Sequence, residues 1–132
     1  MNKIAGNDWD NGCVAVAVST MRCVLGYRTA LPNGFSKDTF DDGMKTEDLA
    51  RNASKLFPKH RVSVWCAKEL SDGVDGYMGS HWEGEGFKGN YITMFDYRSR
   101  TDQRCNGHSH MVVGHPTIYD GMSTTIIVRV EM

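Results

Sequence analysis

A turn that ends in a cysteine constrains this chain more than any other stretch. Asn11-Gly12 is a turn-forming dipeptide, Cys13 follows it, and the run Val14-Ala15-Val16-Ala17-Val18 begins at once. Val14, Ala17, Val18, Met21 and Leu25 recur at helical spacing, so the pattern predicts a helix from Cys13 to Val24, with Gly26 as its C-terminal stop. A strand over Cys13–Val18 is the competing reading. The continuation through Ser19-Thr20-Met21-Arg22 favours the helix. Cys13 then stands at a helix N-terminus, where unpaired backbone N–H groups and the positive end of the helix dipole both favour thiolate over thiol.

Length and charge narrow what such a cysteine serves. A chain of 132 residues is expected to form one domain with a core that needs no covalent staples. Charged residues make up 23% and the net charge is −1, so no bulk attraction to nucleic acid or to an anionic membrane is implied. No apolar run reaches the length of a membrane span, and Met1-Asn2-Lys3-Ile4-Ala5-Gly6 carries no apolar signal region. The expected compartment is therefore the cytoplasm. There Cys13, Cys23, Cys66 and Cys105 are expected as thiols, since their spacing makes no dense disulfide framework.

Further along, residues 27–44 read as an irregular excursion with turns at Pro32-Asn33-Gly34 and Asp41-Asp42-Gly43. Thr46 is expected to cap a second helix with Glu47 and Asp48 in its first turn, Leu49, Ala53, Leu56 and Phe57 on its buried face, and Pro58 ending it. Arg61–Cys66 alternates and reads as a strand, and Lys68-Glu69-Leu70 as one helical turn. Residues 72–90 hold six glycines together with Tyr77, His81, Trp82 and Phe87, and read as a long loop that forms a flap or a partner-binding surface. Three strands follow, Asn90–Tyr97, His110–Gly114 and Thr124–Val130. Helices first and mainly antiparallel strands after predict an α+β fold, with an N-terminal central helix packed on a small antiparallel sheet.

A cysteine nucleophile needs a base. His110 opens the apolar run Met111-Val112-Val113, whose burial would fix its backbone, and is the leading candidate; His108 is the alternative two residues earlier. Asp120, in the turn after that strand, or Glu131, at the end of the last strand, would orient the imidazole, depending on strand register. Asn7 carries an amide N–H₂ six residues before Cys13 and, with the Cys13 backbone N–H, is the candidate oxyanion donor. Trp9, Tyr77, His81 and Trp82 are the candidate contacts to a substrate or partner. Cys105, His108, His110 and His115 lack the paired spacing of a closed four-ligand zinc site, so no metal is expected.

These residues resemble the papain-like cysteine peptidase superfamily, in particular its compact bacterial and phage members such as the peptidase domains that cleave double-glycine leaders. In those an amide residue, usually Gln, precedes the cysteine by six, the cysteine starts the central helix, and a late histidine opens a strand of the form His-x-Val-Val-x-Gly. Asn7, Cys13, His110, Val112, Val113 and Gly114 stand at the matching positions, and Tyr91–Asp96 at the strand before the histidine. The chain departs from the pattern in Asn for Gln at position 7, in Asn-Gly-Cys where Asp-Cys-Gly is usual, and in offering no clean third residue. Asp10, three residues before Cys13, also resembles the acidic residue of ovarian-tumour deubiquitinases.

The resemblance implies a hydrolase of peptide, isopeptide or other amide bonds that needs no cofactor and acts on a peptide or protein. It also admits a second expectation: a catalytically silent module of the same fold that binds a protein partner, in the manner of a phage-encoded protein acting on a host factor.

Overall fold

The computed structural model describes residues 13–35, 45–80, 90–99, 109–116 and 122–132. The helical spacing that begins at Cys13 is realised as α1, Cys13–Val24, with Val14, Ala17, Val18 and Met21 buried. Valines weaken an isolated helix, but here their side chains are the core, and burial outweighs propensity. The second helix, α2, spans Thr46–Leu56 and buries Leu49, Ala53 and Leu56. Its N-cap is Lys45, not the expected Thr46, which is already the first helical residue. Glu47 and Asp48 supply the negative charge that the helix start favours. Phe57, fully buried, is the C-cap, and Pro58 lies just beyond it.

Among the described residues five strands make one sheet: β1 (Val62–Cys66), β2 (Tyr77–Gly79), β3 (Tyr91–Ser99), β4 (Ser109–Val113) and β5 (Met122–Glu131), in the order β2-β1-β5-β3-β4. A short 3-10 turn, Lys68–Leu70, stands where one helical turn is expected. The fold is α+β, but the sheet is mixed and not antiparallel throughout, because β2 pairs parallel to β1. β2 is also a strand inside the segment read as a loop. Its three residues follow Gly76 and end on Gly79, too short a run for alternation to register.

The two faces of the sheet differ. Val62, Val64 and Cys66 of β1, Met94 of β3 and Ile126, Val128 and Val130 of β5 form a core with both helices, and Met111 and Val113 of β4 pack against it. On the opposite face Trp65, Phe95 and Ile127 form a second cluster with Tyr97 and Val112. α1 lies over β4 and β3, and α2 over β1 and β5.

A buried guanidinium ties the helix ends together. Arg22, near the end of α1, donates Nη1 to the Leu56 carbonyl at the end of α2 at 2.6 Å. It also donates Nε and Nη2 to the carbonyl and hydroxyl of Thr29 and stacks over the Tyr27 ring at 4.2 Å. Burial pushes its pKa below the usual arginine value. Tyr27 shares a 2.8 Å hydrogen bond with His60 Nδ1, just before β1. Both helices therefore finish near the start of β1. The first residue of α1 lies at its other end, roughly 18 Å away along a helix of 12 residues.

Candidate functional site

Cys13 is the first residue of α1, partly exposed, and packs against the helix-side core. No acidic side chain stands in the first turn of α1. Cys23 is partly exposed and Cys66 buried, and Cys13, Cys23 and Cys66 are all free thiols. Burial, with Glu69 nearby, pushes the Cys66 thiol up from its ordinary value.

His110 lies on β4 opposite Tyr97 of β3, and α1 rests on that strand. Met111 and Val113 join the helix-side core, while Val112 joins the opposite cluster. Position 110 thus shares the parity of Val112 in the ladder. The His110 side chain, and Asn7, Trp9, His81, Trp82, Cys105, His108 and Asp120 altogether, lie outside the described residues.

The remaining candidates stand apart from Cys13. Glu131, exposed at the end of β5, pairs with Tyr91, whereas Tyr97, the partner of His110, pairs with Thr124. The seven residue steps from Thr124 to Glu131 span roughly 23 Å of extended chain, well beyond a hydrogen bond to His110. Tyr77 lies on β2, beyond β1 and β5, and donates its hydroxyl to the Cys66 carbonyl at 3.4 Å. It helps line a polar cleft of about 380 Å³ with Arg61, Ser63, Tyr91, Arg129 and Glu131.

Two charged side chains inside apolar strands were not singled out by the sequence reading. Asp96 is 5% exposed and accepts a 2.9 Å hydrogen bond from the Thr125 hydroxyl. It faces Met111 in the ladder, one rung from His110, next to a β5 irregularity that leaves Thr125 out of register. Arg129 lies between the rings of Trp65 and Tyr91, at 4.9 and 4.2 Å, with Nη2 near Ser63 Oγ and Met78 Sδ. The signal for both was present, one charge breaking an otherwise apolar run in Met94-Phe95-Asp96-Tyr97 and in Ile127-Val128-Arg129-Val130. Such a residue is buried with partners or exposed by a register change, and pairing decides which.

A second cleft, about 480 Å³ and mostly apolar, opens where β1 ends and β5 begins, between Thr46, Cys66, Leu70, Thr125 and Ile126. Among the described residues no three His, Cys, Asp or Glu side chains gather as a metal site, and no helix is long and apolar enough to cross a membrane. No known family model, curated protein or solved structure matches this chain.

Proposed function

We propose that this protein is a papain-like cysteine hydrolase acting on amide bonds of peptides or proteins. The supporting observation is that Cys13 opens α1, partly exposed, and that α1 rests on β4, the strand of His110. In this reading His110 takes the Cys13 proton and the thiolate attacks the carbonyl carbon. The oxyanion of the tetrahedral intermediate is held by the Cys13 backbone N–H and the Asn7 amide. His110 returns the proton to the leaving amine as the C–N bond breaks, and water then hydrolyses the thioester. Asp120 is the orienting acid of this scheme, since Glu131 lies at the far end of β5.

Iodoacetamide alkylation against pH, with the modified cysteine mapped by mass spectrometry, tests the pair. Labelling that is fast below pH 7, confined to Cys13 and slowed in His110→Ala is the expected result. Labelling at the rate of an ordinary exposed thiol, unchanged by His110→Ala, sinks the hydrolase reading. Cys23 serves as the internal comparison.

The second reading is a silent module of the same type that binds a protein partner. One observation favours it: position 110 has the parity of Val112, which packs on the face away from α1. The same alkylation series without dependence on His110 is its signature.

A further inference from the structure

We infer that the outer edge of β4 is a docking strand for an extended peptide, which adds to the sheet through its backbone. The inference rests on the hydrolase reading only in naming that peptide as the substrate. β4 is a terminal strand of the sheet, and among the described residues no strand pairs with its outer side. The direction of its backbone groups follows from one bond: Gly114 N–H donates to the Thr93 carbonyl at 2.9 Å. In an antiparallel ladder, residues bonded to the partner alternate with residues turned away. The register Met94↔Val113, Phe95↔Val112, Asp96↔Met111, Tyr97↔His110 therefore turns the backbone of Val112 and position 110 toward β3. The N–H and C=O groups of Met111 and Val113 are turned outward.

Among the described residues this edge lacks the usual protection. Ser109-His110-Met111-Val112-Val113 contains no Lys, Arg, Asp, Glu or Pro, and no register shift interrupts its pairing with β3. Outward amides and carbonyls at alternate residues match the backbone of one extended chain. A second copy of this protein is the poorer occupant. A ladder of five residues supplies only a fraction of the roughly 1,200 Å² that stable protein pairs bury, whereas a peptide needs little more than the ladder itself. The position of the edge fits a substrate, because the same strand carries His110 and lies under the helix that Cys13 begins.

The test uses the full chain with Cys13→Ser, so that nothing is turned over. A displayed heptapeptide library is panned against it, and the recovered peptides are measured by fluorescence anisotropy. Proline at 111 or 113 deletes an outward N–H and leaves the bonds to β3 in place. Affinity is expected to fall about tenfold in Met111→Pro and in Val113→Pro, the size of one lost hydrogen bond. An N-methyl scan of the peptide keeps the test independent of how those variants fold. Methylation at alternate positions is expected to cost about tenfold, and methylation between them almost nothing. No recovered peptide, affinity in both proline variants unchanged from that of the Cys13→Ser parent, or an N-methyl profile without alternation overturns the inference. So does a dimer of the parent chain that Met111→Pro dissociates, since the edge then belongs to a second copy. Failure of the hydrolase reading shows in the alkylation series and leaves these binding measurements as they are.

Discussion

The two edges of the sheet meet the same problem in opposite ways. A terminal strand exposes unpaired amides and carbonyls to any other chain. β2 limits this by brevity: three residues, a parallel pairing with β1 whose register breaks between Val64 and Trp65, and glycines at positive φ on either side of Tyr77-Met78. β4 is longer, regularly paired and free of charged residues over its five positions. One edge is closed by its own irregularity, and the other keeps a regular row of outward backbone groups. The difference separates a strand that finishes the fold from one fit to recruit something.

The largest effect is expected at the blunt edge. Gly76 accepts the Val64 N–H at 3.0 Å, and a Cβ there would stand 2.3 Å from the Val62 carbonyl oxygen, on a residue with φ of 77°. Gly76→Ala joins a backbone clash to a left-handed alanine and should cost about 3 kcal/mol in urea denaturation. A loss under about 1 kcal/mol would mean that β2 shifts freely, and its closure of that edge would then be illusory.

Next comes the comparison of neighbours within β4. Val112→Pro removes an amide turned toward β3 and should cost about 3 kcal/mol. Met111→Pro removes only an outward amide and part of a half-buried side chain, and should cost about 1 kcal/mol. Equal losses from the two substitutions would break the assignment of outward groups on this edge.

A smaller change probes β5, the strand between the two halves of the sheet. Thr125→Val keeps the shape of the side chain and deletes the hydroxyl that donates to the buried Asp96 carboxylate. Stability should drop by about 1.5 kcal/mol. An unchanged denaturation midpoint would show that the remaining surroundings of Asp96 suffice to hold it.

The smallest effect is on pH dependence. The Cys66 thiol is raised in the folded chain, so its contribution to stability is complete below the ordinary thiol value of 9.0. As pH rises beyond that value the unfolded chain ionises first, and stability falls until the folded pKa is passed. Cys66→Ala should flatten this decline in denaturation midpoints collected from pH 8 to 10. A decline of the same slope in the variant would assign it to other groups.

Much of this architecture was legible in the residues. α1 and α2 follow from apolar spacing, and β1, β3, β4 and β5 from alternation or apolar runs, each to within two residues. β2 was not, since Tyr77-Met78 between two glycines carries no period. The sheet was read as antiparallel because β2 was read as loop, and a strand that returns alongside β1 in parallel leaves no trace in composition. At the site, Cys13 at the head of α1 and His110 on a strand follow from the apolar patterns, whereas the packing of α1 on that strand does not. The separation of Glu131 from His110 does not. It depends on β5 running antiparallel to β3 over its whole length, a register that pairing decides and sequence leaves open. Asp96 escaped notice for the same reason.

The strand order carries a consequence for synthesis. β5 is the last strand in sequence, yet it separates β1 from β3 and pairs with both. During translation the β3–β4 hairpin and the β1–β2 pair can each form, but the two halves stay unjoined until the chain has emerged through Glu131. Up to that moment the β5-facing sides of both β1 and β3 are open, and the nascent chain depends on speed or on a chaperone to keep them from pairing elsewhere.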